Sequence, residues 1–270
     1  MSHDEVNGLA TISDLDSGKM LFGGYVNGGK GSPKISIVMP AFNEEAAIGL
    51  VIDGFRRELE RKGISFEIVV VDNNSVDRTT EIALSEGATV IKEPKQGYGY
   101  ACMRGLTEAK GEIVILTEGD DTFDPRDIWK LMVYLEERDV DLVLGTRTTL
   151  ELVEDGAKMG RFLHWGNLFL AKLIQLQFWR RCRITDVGCT FRGIKRGALI
   201  RVVNKFQEGG SCFSPEMIIL CLKTGLRPVE IPIRYRKRKG QSKITADWKK
   251  STMVGLEMLK LILTQRFRKE

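Results

Sequence analysis

Acidic side chains cluster where an apolar run ends: Glu112-Ile113-Val114-Ile115-Leu116 is followed at once by Thr117-Glu118-Gly119-Asp120-Asp121-Thr122. The run is short, β-branched and almost uninterrupted, the pattern of a strand buried on both faces. Carboxylates at the carboxyl edge of such a strand sit where open α/β sheets bind their ligands. Grouped oxygen donors there suit a hard divalent cation, Mg²⁺ or Mn²⁺, that shares its coordination with phosphates. A solvated acidic turn is the plain alternative for the cluster taken alone.

Two upstream runs end the same way. Phe66-Glu67-Ile68-Val69-Val70-Val71 stops at Asp72-Asn73-Asn74-Ser75-Val76-Asp77, and Lys34-Ile35-Ser36-Ile37-Val38-Met39 stops at Pro40-Ala41-Phe42-Asn43-Glu44-Glu45. Amphipathic helices are expected after these ends, with Ile48, Ile52, Phe55 and Leu59 inward in one and Ile128, Leu131, Met132 and Leu135 in another. Strands that alternate with helices and end in polar residues describe a nucleotide site built on the edge of a mainly parallel sheet. No glycine-rich dinucleotide fingerprint follows the first strand, and no Gly-Lys-Ser/Thr phosphate loop occurs, which weighs against hydride transfer and ATP hydrolysis.

The remaining chain divides by pattern. Residues 1–32 are polar and then glycine-rich, and read as a flexible arm. A nucleotide half is expected over 33–147, with strands ending near Met39, Asp72, Glu93, Leu116 and Gly145. An acceptor half is expected over 148–245, opening on a mobile loop at 148–160 and carrying an amphipathic helix between Trp165 and Trp179. Residues 246–270 read as an amphipathic basic helix.

With 43% hydrophobic and 29% charged residues in 270, the composition is that of one large globular domain. The net charge of +5 is modest, but the basic runs Arg180–Arg183, Arg234–Lys239 and Arg266–Lys269 all fall in the second half. That asymmetry suits an anionic acceptor or an anionic membrane surface. No nucleic-acid motif accompanies it, so no nucleic-acid partner is expected. The cysteines are odd in number and form no Cys-x-x-Cys pair, and read as small buried residues of a reducing cytosol. No run approaches the ~18 apolar residues of a spanning helix. A peripheral place on the cytoplasmic face of a membrane is therefore expected, with a homo-oligomer or a membrane-protein partner left open.

The motifs together resemble family 2 glycosyltransferases of the GT-A fold. Carrying the resemblance are Ser36–Glu45, Val70–Asp77, Gly97-Tyr98-Gly99-Tyr100-Ala101 and the acidic strand end at Glu118–Asp121. Gly145-Thr146-Arg147, Asp186–Arg192, Phe213-Ser214-Pro215-Glu216-Met217 and Arg238-Lys239-Gly240-Gln241-Ser242-Lys243 narrow it toward enzymes such as dolichol-phosphate mannose synthase and bacterial polyprenyl-phosphate glycosyltransferases. The resemblance implies a Rossmann-like, mixed, mainly parallel sheet flanked by helices, with amphipathic helices at the C-terminal end. It implies inverting transfer of a hexose from a nucleotide-diphosphate sugar to a polyprenyl phosphate, with GDP-mannose, UDP-glucose and UDP-N-acetylglucosamine all open as donors. A soluble or polysaccharide hydroxyl acceptor, or non-catalytic sugar-nucleotide binding, are the competing readings.

Residue by residue, the resemblance puts Pro40, Phe42, Glu44, Asp72 and Asn73 around the nucleoside, with Asp72 accepting from the base and Glu44 near the ribose. Lys95, Glu118 and Gly119 approach the donor, and Glu118, Asp120 and Thr122 hold Mg²⁺ or Mn²⁺. The family's usual Asp-x-Asp is here Glu118-Gly119-Asp120, which lengthens the first ligand by one rotor. Arg147, Arg161, Arg234, Arg238, Ser242 and Lys243 cradle the acceptor phosphate, for which the planar guanidinium fork is well shaped. Asp120, Asp186, Arg147 and Arg238 are the expected catalytic set. Asp186 stands where many inverting relatives carry a base, but a phosphate acceptor would leave it the task of positioning the donor sugar or an acceptor arginine.

Overall fold

The computed structural model describes residues 32–157, 161–239 and 248–265, with side chains left aside at 161–163 and 248–250. The arm expected over 1–32 lies, but for Ser32, outside the described residues, as do Ser242 and Lys243. The strands are β1 Ile35–Ala41, β2 Phe66–Asp72, β3 Thr89–Lys92, β4 Ile113–Leu116, β5 Leu142–Thr146, β6 Arg192–Lys195 and β7 Pro228–Pro232. They form one seven-stranded sheet in the order β3-β2-β1-β4-β6-β5-β7. Only β6 runs antiparallel, against β4 on one side and β5 on the other. The mixed, mainly parallel sheet expected from the sequence is therefore present, and both expected halves contribute strands to it.

Register explains the site. In β1 and β2, Ala41 lies opposite Asp72, while β4 is paired to β1 only as far as Val38↔Leu116. The Thr117 amide then donates to the Val38 carbonyl at 3.0 Å, so Glu118 leaves the sheet beside the end of β1. Three strand ends thus open onto one edge. Left-handed backbone turns each segment away there: Asn43 has φ 55°, Asn74 φ 68° and Asp121 φ 63°. Asn and Asp enter that region more readily than other non-glycine residues.

The helices are α1 Ile48–Arg61, α2 Thr79–Ser85, α3 Tyr98–Glu108, α4 Ile128–Glu136, α5 Arg161–Gln177, α6 Arg196–Ile200, α7 Phe213–Lys223 and α8 Trp248–Gln265. In α1 the residues Ile48, Val51, Ile52, Phe55 and Leu59 are buried, and in α4 Ile128, Leu131, Met132 and Leu135, which are the faces read from the spacing. Helix α7 is buried along its length from Phe213 to Leu222, and α8 packs on both α7 and α5. The cluster of buried apolar residues runs from Val38 and Leu116 in the sheet through α7 to Met258, Leu261 and Ile262 of α8. The C-terminal helix is thus seated on the domain along one face. Its other face leaves Met253, Leu256 and Leu263 exposed, at 62%, 60% and 49%. No described helix is long and apolar enough to cross a membrane.

Candidate active site

A cavity of about 760 Å³ opens at the carboxyl edge of the sheet. Pro40, Phe42, Glu44 and Asn73 border one part of it, and Glu118, Gly119, Asp120 and Thr122 border the middle. The Asp120 carboxylate is buried and fixed by its own turn: the Thr122 amide and hydroxyl donate to its Oδ1 at 3.0 and 2.6 Å. Thr122, expected as a metal ligand, here orients Asp120. Glu118 accepts from the Thr190 hydroxyl at 2.8 Å. Burial first, and the neighbouring Asp120 charge second, push the Glu118 carboxyl up to about 8. The left-handed turn at Asp121 directs that third carboxylate elsewhere, to Lys239 at 2.7 Å and Arg236 at 3.5 Å.

The neighbouring carboxyl groups of Glu118 and Asp120 form a donor set of hard oxygens that fits Mg²⁺ or Mn²⁺. Among the described residues no group of three or more His, Cys, Asp or Glu side chains could enclose a metal by itself. A cation held by Glu118 and Asp120 would therefore take its other ligands from phosphate and water, as Mg²⁺ commonly does.

Residues 234–239 lie as a strap across this edge. The Arg236 amide donates to the Thr122 carbonyl at 2.8 Å and the Lys239 amide to the Asp120 carbonyl at 3.1 Å. Side chains alternate along it. Arg234 binds Asp127 at 2.8 Å, Arg236 binds Asp124 at 2.7 Å, and Arg238 reaches Asp120 at 3.0 Å and also donates to Glu44. Burial would lower the Arg238 pKa, but Asp120 and Glu44 raise it above its ordinary value. Its Nε is buried with no hydrogen-bond partner among the described residues. Arg238, expected in the acceptor cradle, borders the cavity with its guanidinium turned to the Glu44 and Asp120 carboxylates.

Arg147 leaves the end of β5 and borders the cavity. Asp186 grips it with both oxygens, at 2.8 Å from Nε and 2.9 Å from Nη2, and also takes the Arg147 and Gly188 amides. Burial works to raise the Asp186 pKa, yet the Arg147 charge and these bonds hold it below the usual carboxylate value. Asp186 is a fixed counter-ion, and it is absent from the cavity wall among the described residues. The ring of Tyr235 stacks near the Arg147 guanidinium, 5.3 Å from its central carbon. Arg147 is thus held from two sides.

Other expected residues are committed elsewhere. The buried Asp72 carboxylate accepts from the Ser75 amide at 3.0 Å, the Thr80 hydroxyl at 2.8 Å and the Lys92 ammonium. It ties β2 to α2 and β3, and does not border the cavity among the described residues. Asn73 does, while its amide clamps the next loop: Nδ2 donates to the Glu93 and Lys95 carbonyls, both at 2.8 Å. Lys95 turns away, with its ammonium 3.8 Å from the centre of the Tyr100 ring. Arg234 faces Asp127 and Asp124, outside the cavity. The side chain of Arg161 lies outside the described set, so the cavity wall retains Arg147, Arg238 and the unforeseen Lys237 as its cations among the described residues.

Several supports were not foreseen. Thr190 reaches Glu118 across the site, and Glu230 accepts the Thr185 and Asp186 amides at 2.8 and 2.9 Å, fixing the turn that carries Asp186. Fully buried Arg192 donates to the carbonyls of Val187, Cys189 and Ser214 at 3.0, 2.8 and 2.6 Å. Thr190 and Arg192 lie in the Asp186–Arg192 motif, where spacing does not reveal which residue points inward, and Glu230 lies in β7, far from it in sequence.

The sheet order, with its acidic strand ends at one edge, is that of the GT-A fold. A model of glycosyl transferase family 2 matches residues 36–203, more than half of the chain, and the chain belongs to that family. The low-salt glycan biosynthesis hexosyltransferase Agl6 of Haloferax volcanii is 31% identical over 213 residues, which are 79% of this chain and 50% of that protein. A dolichyl-phosphate hexose transferase of the same organism is 30% identical over 234 residues, 87% of this chain and 96% of that one. The chain spans about half the length of the first relative and nearly all of the second. Among solved structures, glucosyl-3-phosphoglycerate synthase from Mycobacterium tuberculosis, in complex with Mn²⁺, UDP and phosphoglyceric acid, is similar with a TM-score of 0.68 at 20% identity, covering 98% of this chain and 86% of that chain. That likeness establishes the shared fold.

Proposed function

We propose that this glycosyltransferase transfers a hexose, with inversion, from a nucleotide-diphosphate sugar to a polyprenyl phosphate at a membrane surface. The observation that carries the reading is the pairing of Asp186 with Arg147. The carboxylate that would serve as a base for a hydroxyl acceptor has both oxygens engaged and a lowered pKa. A phosphate monoester carries nearly two negative charges near neutral pH and attacks without a base. Arg147, preorganised by Asp186, is shaped to hold such a phosphate by two parallel bonds. The exposed cation Lys237 borders the same cavity.

On the donor side, Pro40, Phe42, Glu44 and Asn73 border the space for the nucleoside, and Glu118 and Asp120 hold the cation. Mg²⁺ or Mn²⁺ bound there would supply electrostatic stabilisation to the departing diphosphate. The 30% identity to a protein named dolichyl-phosphate hexose transferase, over nearly its whole length, supports the acceptor class. Exposed Trp165, Phe169, Met253 and Leu256 support work at a lipid surface.

The test is nucleoside diphosphate release from GDP-mannose, UDP-glucose and UDP-N-acetylglucosamine, each with polyprenyl phosphate, with a soluble sugar, or with no acceptor. Release that depends on polyprenyl phosphate is expected with one donor. Release that depends instead on the soluble hydroxyl would reassign the acceptor, and donor binding without release would leave a binding protein.

A further inference from the structure

The cavity does not end at the phosphate site. It continues between α5 and α8, where Phe169, Leu170, Val254, Leu256, Met258 and Leu259 form its wall. The nucleoside is expected at Pro40, Phe42 and Asn73, and a hexose presents mainly hydroxyls, so the donor does not account for an aliphatic wall between these helices. Phe169 and Leu256 border the cavity and are also 55% and 60% exposed, which places them where it opens outward. Trp165, four residues before Phe169, and Met253, three before Leu256, lie on the same helix faces and are exposed as well. One apolar path therefore leads from Arg147 to the molecular surface.

Each helix also carries a glycine on this path. Gly166 in α5 and Gly255 in α8 both border the cavity. A Cβ built on either would meet no described atom within 4 Å. Close helix packing thus does not account for them, and glycine weakens a helix interior. Neither has the positive φ that would call for glycine. What the two share is open space in the cavity wall.

We propose that the groove between α5 and α8 receives the first isoprene units of the acceptor, with Gly166 and Gly255 keeping it open and Arg147 and Lys237 fixing the phosphate at its inner end. The inference rests on the polyprenyl-phosphate reading and adds to it a place for the tail and a preference for chain length. Charge complementarity at one end and continuity with the donor cavity argue for a phosphate-headed lipid over a second protein. The enzyme then measures its acceptor by the apolar length lying in the groove.

The experiment compares the full chain with Gly255→Leu and Gly166→Leu, using prenyl phosphates of one, two and four isoprene units in one detergent. Burial of each methylene contributes roughly a fourfold gain in affinity when complete, so three added isoprene units that bury the equivalent of about three or four methylenes in the open groove should raise wild-type kcat/KM on the order of 10²-fold. Leucine in either position strengthens the helix and fills open space, so the variants should fold at least as well, which a melting curve checks. Each should lose about tenfold or more with the four-unit acceptor, keep its rate with the one-unit acceptor within about twofold, and bind donor unchanged. Gly255→Ala, too small to block the groove, should retain the length preference. A wild type that uses prenyl phosphates without regard to length, or a Gly255→Leu variant that keeps the preference, would overturn the groove while leaving the acceptor class intact. A wild type that uses no prenyl phosphate with any donor would overturn both.

Discussion

Arg238 places its Nη1 3.0 Å from Asp120 Oδ2 while its Nη2 donates to Glu44, so one guanidinium joins two carboxylates of the cavity wall. A fixed positive charge there competes with any cation that uses Asp120. A unit charge at about 4 Å contributes roughly 4 kcal/mol at an effective dielectric near 20. Replacing Arg238 with Gln should therefore tighten Mn²⁺ binding in the absence of donor by about tenfold or more, as read by electron paramagnetic resonance titration. Weaker or unchanged Mn²⁺ binding would show that Arg238 does not stand in for the cation.

Asp120→Ala addresses the same centre from the other side. It removes one of two carboxylates and the acceptor of the Thr122 amide and hydroxyl. Metal-dependent donor binding should be lost, measured by calorimetry with and without Mn²⁺. Glu118→Asp should keep it, since a carboxylate remains at the strand end. Donor affinity that is identical with and without metal in the wild type would contradict the ligand assignment.

Asp186→Asn tests the pairing with Arg147. Removing one partner of a buried ion pair typically costs on the order of 3–5 kcal/mol. The sign of the pH dependence follows from the lowered folded-state pKa: Asp186 stabilises fully above the unfolded value of 3.8, and the contribution is lost as pH falls through the folded value. The stability gap between wild type and Asp186→Asn should be flat from mildly acid to neutral pH and close below 3.8. Urea unfolding across that range checks it. A gap that instead widens in acid would mean that Asp186 is not held ionised by Arg147.

Arg192→Lys should lower the melting temperature although position 192 lies outside the cavity wall among the described residues. One ammonium cannot reach the carbonyls of Val187, Cys189 and Ser214 together, and each orphaned buried acceptor costs roughly 1–3 kcal/mol. Donor affinity of the folded fraction should remain within about threefold. A melting temperature equal to wild type would remove Arg192 as the brace of this turn.

The strands whose sequences are unbroken apolar runs were legible, because burial on both faces leaves a composition that no surface segment shares. Strand β6 was not. Arg192-Gly193-Ile194-Lys195 offers no alternation, and Arg192 is buried only because three carbonyls surround it. Gly193 fits β6 under α4, where a Cβ would lie 2.7 Å from Leu135. In the site, type and strand-end position pointed to Glu118 and Asp120, and the family resemblance added Glu44 and Arg147; all four border one cavity. The partners of Asp72 and Arg234 were not legible, since Lys92 and Asp127 lie 20 and 107 residues away and leave no local trace. The basic run 234–239 read as an acceptor face, whereas its alternation against Asp120, Asp121, Asp124 and Asp127 makes it a strap.

Transfer to a lipid phosphate is read most directly from the fate of a labelled sugar. Purified full-length protein is incubated with donor labelled in the hexose, polyprenyl phosphate and Mg²⁺ or Mn²⁺, and the label is followed into the organic phase. Organic-phase label is expected with one donor, only when both lipid phosphate and divalent cation are present, and should fall on the order of 10²-fold in Arg147→Ala. Label that stays in the aqueous phase with every donor, or that moves to a soluble hydroxyl acceptor instead, would contradict it.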